Sequence, residues 1–211
     1  MTSKRPRDCV VLGILAIVAT RCATAESYGF YADLGLGQAR YPYSAVVDVH
    51  DVTLTSPRLS LKDTAWDGMV GYRFSPYFGA EAGYVNLGKG SVSVSDTSGA
   101  THGRASIASR GPTLALVGAV QVSNLEAFVR LGYLFAHTSL SASTPASGKT
   151  KLNNTVSANT VATFGGVGVR YAFNDYWHLK VEFDRYDSVG EAKTTGTANV
   201  NVTTFGVGYR F

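Results

Sequence analysis

No stretch of this chain stays apolar for the roughly 20 residues that a membrane-crossing helix needs. The longest uncharged apolar run, Val10 to Thr20, covers 11 residues. Cysteine is nearly absent as well. The only two, Cys9 and Cys22, stand in the N-terminal 25 residues, so a chain processed after that point holds neither a disulfide nor a thiolate metal site. The four histidines, His50, His102, His137 and His178, fall in separate segments without ligand spacing, and neither a metal nor a cofactor is expected. No segment carries the 3.6-residue apolar period of an amphipathic helix.

The N-terminus does carry a basic start (Lys4, Arg5, Arg7), the short apolar run, and the small-x-small sequence Ala23-Thr24-Ala25. Together these predict a secretory signal peptide over residues 1–25, cleaved after Ala25, followed by a single domain over 26–211. The leader takes with it four of the 19 basic residues and one of the 15 acidic ones, leaving 15 and 14, a net charge of +1. The basic balance of the whole chain therefore belongs to the leader, and nucleic acid is not an expected partner.

After the leader the pattern alternates at period two. Phe211, Tyr209, Val207, Phe205 and Thr203 share one face of a terminal strand, while Arg210, Gly208, Gly206, Thr204 and Val202 share the other. Seven more strands follow from the same alternation: Tyr28 to Gln38, Ala65 to Phe74, Phe78 to Leu87, Ile107 to Gln121, Leu125 to His137, Thr160 to Phe173 and Trp177 to Tyr186. Three connections are tight (Ser75 to Tyr77, Val122 to Asn124, Asn174 to Tyr176). Four are long: Ala39 to Thr64, Gly88 to Ser106, Thr138 to Asn159 and Asp187 to Ala198. Short turns alternating with long loops are the asymmetry of outer-membrane barrels. Aromatics gather at the short-turn end (Tyr28, Phe30, Phe74, Tyr77, Phe78, Tyr171, Phe173, Tyr176, Trp177, Tyr209, Phe211), with a second group higher up: Trp66, Tyr84, Tyr133, Phe135 and Phe183. These are the two belts of a membrane wall.

The segments Gly71-Tyr72-Arg73-Phe74-Ser75-Pro76-Tyr77, Glu81-Ala82-Gly83-Tyr84, Arg130-Leu131-Gly132-Tyr133, Glu182-Phe183-Asp184-Arg185-Tyr186 and Gly208-Tyr209-Arg210-Phe211 resemble the OmpA-like eight-stranded barrels and their smaller OmpX and Ail type relatives. The resemblance implies an all-β fold, a transmembrane eight-stranded antiparallel up-and-down β-barrel, in the outer membrane of a Gram-negative bacterium. It departs from OmpA in showing no periplasmic domain after the barrel. Phe205, Val207, Tyr209 and Phe211 would be the C-terminal signal that the barrel assembly machinery reads.

Opposite the apolar faces stand Asp33, Asp67, Arg73, Glu81, Glu126, Arg130, Arg170, Lys180, Glu182, Asp184 and Arg210, six acids and five bases. An eight-stranded barrel is just wide enough for side chains to fill, and charges inside it need partners. The simpler expectation is an interior salt-bridge network that plugs the barrel, and the sharper one is a narrow or gated ion path. By resemblance Glu81, Arg130, Arg170 and Lys180 match the family's network positions, although Arg170 stands where OmpA has an acid.

Other signals are weak. His137-Thr138-Ser139 resembles the His-x-Ser pair of lipid A deacylases, but no acid follows to orient the imidazole. Gly83 to Gly90 lacks the Ser or Thr that a phosphate loop needs after its Lys, and Gly165-Gly166-Val167-Gly168 lacks the following helix. No catalytic residue is assigned. Alternation in Ala45 to Leu54 and Ser91 to Ser95 suggests strands rising above the membrane, whose edges can recruit an extended partner. The expected function is structural, adhesive or host-interacting, with a small or gated channel as alternative and a lipid A-modifying enzyme third. Expected partners are outer-membrane lipid and lipopolysaccharide, the assembly machinery, and a host or cell-surface protein at the loops, with the barrel a monomer.

Overall fold

Period-two alternation becomes strand almost throughout. The computed structural model describes residues 29–41, 58–60, 62–95, 102–145, 151–191 and 197–211. Its strands are β1 (Gly29–Arg40), β2 (Arg58–Ser60), β3 (Lys62–Arg73), β4 (Phe78–Ser95), β5 (His102–Val122), β6 (Leu125–Pro145), β7 (Lys151–Ala172), β8 (Trp177–Val189) and β9 (Ala198–Arg210). All pairings are antiparallel, and β2 continues the β3 stave by pairing with the upper part of β4. The circle runs β4-β3-β1-β9-β8-β7-β6-β5 and returns to β4. This is a closed, eight-staved, up-and-down barrel. Closure leaves no membrane-level edge without hydrogen-bond partners, as lipid demands.

Three turns join neighbouring staves at one end. Ser75 Oγ accepts from the N–H of Tyr77 at 3.2 Å and of Phe78 at 3.1 Å. Asn174 Oδ1 accepts from Tyr176 at 2.9 Å and Trp177 at 2.7 Å. Such side-chain mimicry of a backbone turn is why Ser and Asn stand there. In the third turn Ser123 takes a left-handed conformation (φ 54°), and Asn124 Nδ2 donates to the Ala172 carbonyl at 2.9 Å.

The barrel is inside-out relative to a soluble one. Val129 is 54% exposed and Leu131 69%, whereas Arg130, between them in β6, is 1% exposed. At the membrane level the outward face of every stave is thus apolar and aromatic. At the short-turn end Phe30 meets Tyr72 (4.8 Å), and Tyr209 meets both Trp177 (5.0 Å) and Phe211 (5.2 Å). At the far end Trp66 stacks on Tyr84 at 5.8 Å.

The structure corrects the extent of the long loops. β4, β5, β6 and β7 run for 18, 21, 21 and 22 residues, against roughly 9–11 needed to cross the bilayer. Most of Gly88 to Ser106 and of Thr138 to Asn159, expected as loop, is paired strand. Above the membrane a strand has no lipid to face, so its outward side no longer has to be apolar and the alternation fades. Ser91 to Ser95 does lie in β4. Tyr28, the Ala45 to Leu54 segment, His50 and the proposed leader lie outside the described residues. Both glycine motifs lie inside strands, and Gly88, at φ +70°, forms a bulge between Asn86 and Lys89 that only glycine adopts without strain.

Candidate functional site

The inward faces of the staves meet in the lumen, where the structure brings together all of Asp33, Asp67, Arg73, Glu81, Glu126, Arg130, Arg170, Lys180, Glu182, Asp184 and Arg210. All but Arg210, which is half-buried, are buried. Nearest the short-turn end, Glu126 Oε1 meets Arg73 at 2.7 Å and Arg170 at 2.9 Å, and its Oε2 meets Arg210 at 3.2 Å. Arg170 is the hub of the next tier. Its Nη2 reaches Asp33 at 3.1 Å and Glu81 at 2.8 Å, and its guanidinium plane lies over Phe128 (4.1 Å) and Tyr31 (4.9 Å). One tier further, Arg130 joins Glu81 (3.2 Å), Asp184 (2.6 Å) and Glu182. Lys180 lies 2.9 Å from Glu182, 3.6 Å from Asp67 and 3.9 Å from Asp33.

Small residues make room for these groups. Gly35, Gly166 and Gly208 sit where an added methyl would overlap Asp67, Asp184, and the Asp33 and His178 pair, respectively. They face those side chains directly across the ladder.

Three members of the cluster were not singled out from sequence. His178 Nε2 lies 2.7 Å from Asp33 Oδ1, and the Tyr31 hydroxyl donates to Glu81 Oε1 at 2.7 Å. Tyr186, fully buried, stacks on Phe164 at 5.0 Å. Strand parity carried the signal: His178 shares its face with Lys180, Tyr31 with Asp33, and Tyr186 with Asp184. A second correction concerns the far half of the lumen, which was expected to be charged. It is an apolar plug of Val85, Leu87, Leu134, Phe164, Tyr186, Val200 and Val202 with alanines between them. Several buried polar atoms make no hydrogen bond among the described residues: both Asp67 oxygens, the Tyr186 hydroxyl and Thr204 Oγ1, while Lys180 Nζ and the Glu182 oxygens are held by their ion pairs alone.

Outside the lumen, Phe205, Val207 and Phe211 face outward, with Tyr209 half-buried among its aromatic neighbours. The Phe211 N–H donates to the Phe30 carbonyl at 3.0 Å. His137 is exposed on the outer wall, its Nδ1 2.7 Å from Asn159 Oδ1. It makes no hydrogen bond to Ser139 among the described residues, so the His-x-Ser pair is not assembled as a nucleophile and base.

Residues 25–211 match the OmpA-like transmembrane domain family. The chain belongs to that family. Over 143 residues it is 29% identical to outer membrane protein A of Salmonella typhi, an alignment spanning 67% of this chain and 38% of that protein. The chain thus corresponds to well under half of that relative's length. Among solved structures, the barrel is similar to the outer membrane protein OprG of Pseudomonas aeruginosa, with a TM-score of 0.55, 15% identity and coverage of 87% of this chain and 97% of that one. It is also similar to Neisserial surface protein A (0.52, 13%, 87% and 97%) and to the outer membrane protease OmpT of Escherichia coli (0.50, 12%, 90% and 99%). At such identities the likeness is one of fold. This OmpA-like barrel is an integral protein of the bacterial outer membrane.

Proposed function

We propose that this OmpA-like barrel is a closed, non-enzymatic scaffold that holds an interaction surface above the outer membrane. The observation that carries the reading is the filled lumen, with ion pairs in one half and packed apolar side chains in the other. Short turns belong to the periplasmic side in such barrels and long strands and loops to the outside, so the upper parts of β4 to β7 project from the cell. Residues 151–162 of β7 pair with β6 but have no partner on the β8 side among the described residues, since that ladder starts at Thr163. An open ladder of N–H and C=O groups accepts an extended segment of a host or cell-surface protein by strand addition. The buried polar atoms of Asp67, Tyr186 and Thr204 that make no hydrogen bond among the described residues favour a second reading, in which water enters and ions leak through a gated path.

Single-channel recording of the refolded barrel in planar bilayers separates the two. A closed scaffold gives no discrete conductance steps, and regular steps at modest voltage would replace it with a channel. Shortening the β6 and β7 tips should abolish adhesion to host cells while leaving the barrel folded.

A further inference from the structure

Beyond the last lipid-type side chain on four adjacent staves, the outer wall changes chemistry. On β4, Tyr84 is followed by Asn86 and, past the bulge, Lys89. On β5, Leu114 and Pro112 give way to Arg110. On β6, Tyr133 and Phe135 give way to His137 and Ser139, and on β7 Val161 gives way to Asn159. Asn86, Arg110, His137 and Asn159 are successive cross-strand partners, so neighbouring side chains start roughly 5 Å apart. One step further Lys89 pairs with Ala108, and Ala108 with Ser139. The short Ala108 side chain between longer ones leaves a recess of about 410 Å³, lined by Asn86, Lys89, Ala108, Arg110, His137 and Ser139.

The recess carries unbalanced positive charge. The Arg110 and Lys89 side chains have no ion pair or hydrogen bond among the described residues, whereas exposed Arg185 elsewhere on the wall is paired with Asp187 at 2.9 Å. Asp63 also lines the recess, its oxygens accepting from the backbone N–H of Thr64 (2.8 Å) and of Lys89 (2.6 Å), so two cations meet one acid and the recess is net positive. Directly below on β5 and β6, Leu114, Leu116, Leu131 and Tyr133 border an apolar groove of about 600 Å³ on the lipid-facing wall. A basic recess over an apolar groove, at the level of the Trp66 and Tyr84 pair, matches the shape of an amphiphile: anionic head above, acyl chain below.

We propose that Arg110, Lys89 and His137 bind a phosphate group of an anionic lipid in the outer leaflet, with the acyl chains laid along Leu114, Leu131 and Tyr133. Arg110 supplies the forked donor pair that suits a phosphate. Asn159 Oδ1 holds the His137 ring at Nδ1, and with both ring nitrogens protonated Nε2 is free to donate to the phosphate. The proposal rests on the outer-membrane placement of the barrel and not on whether its lumen is closed.

The test uses the folded barrel in neutral detergent, with lipid retention read by native mass spectrometry. The probes are phosphatidylcholine, phosphatidylglycerol, diphosphorylated lipid A and inorganic phosphate. The expected result is retention of one anionic lipid about tenfold over phosphatidylcholine, lost in R110Q/K89Q and kept in R185Q, with no protection from thermal unfolding by inorganic phosphate. The substituted residues are exposed, and a heat-shifted gel band verifies that each variant is folded. Equal retention of the neutral lipid, undiminished retention by R110Q/K89Q, or loss in R185Q as well would overturn the site. Stabilisation by inorganic phosphate alone would assign the recess to a soluble anion and overturn the lipid.

Discussion

Glu81 and Asp67 are both buried acids on neighbouring staves, yet their surroundings differ. Glu81 accepts from the Tyr31 hydroxyl and from the guanidiniums of Arg130 and Arg170. Among the described residues Asp67 has no hydrogen-bond donor, and its ion-pair partner is Lys180 at 3.6 Å, itself shared with Glu182 and Asp33. Removing one partner of a well-made buried pair costs on the order of 3–5 kcal/mol, because the other charge is stranded. Glu81→Ala is therefore expected to lower the unfolding free energy of the refolded barrel, read from its urea transition, by that amount. Asp67→Asn removes a charge whose desolvation is poorly compensated and, with Arg210 counted, leaves five acids and five bases in the lumen. Its midpoint should stay level or rise. Equal losses in both variants would show that the lumen is hydrated enough to make local pairing irrelevant.

At the scale of the strand, the terminal element joins structure to assembly. Phe211 is 76% exposed on the outer wall, where lipid covers it, and such a side chain contributes about 1.5–3 kcal/mol when withdrawn from water. Deleting Phe211 is expected to reduce outer-membrane levels in cells more than it reduces the urea midpoint in vitro, if the assembly machinery reads that residue. Equal surface levels for the two chains would end that idea. β9 also shows why the membrane part of the fold was legible in the sequence: Phe205 and Val207 had to be apolar against lipid, and Thr204 and Gly208 had to be small inside. The same constraint is missing from the ends of β6 and β7, residues 139–145 and 151–157, which run past the length needed to cross the bilayer and so read as loop. Likewise the charges in the lumen were legible because no lipid-facing position tolerates them. The apolar plug was not, since Leu134 or Val200 reads like any other apolar residue in a strand.

For the whole molecule, closure makes unfolding cooperative, since no stave can leave without opening two ladders. Residues 26–211, refolded in detergent, are expected to give a β-rich spectrum and an unboiled band that migrates differently from the boiled one. A helical spectrum, or solubility without detergent, would contradict a membrane barrel. If residues 1–25 form a leader, the mass of the protein recovered from outer membranes will place Glu26 first.

The distribution of lumen charge along the chain bears on how such a circle shuts. Among the described residues, the inward charges of β1, β3 and β4 are Asp33, Asp67 and Glu81 against Arg73. Those of β6 to β9 are Arg130, Arg170, Lys180 and Arg210 against Glu126, Glu182 and Asp184. Before the barrel closes, the leading sheet is thus negative on its concave side and the trailing sheet positive. Asp33 finds its partners, Arg170 and His178, 137 and 145 residues later in the chain. The two curved halves attract across the gap, and a strand paired out of register would leave like charges facing each other. The ion pairs that fill the finished lumen therefore also act as a clasp that recognises the correct seam between β1 and β9.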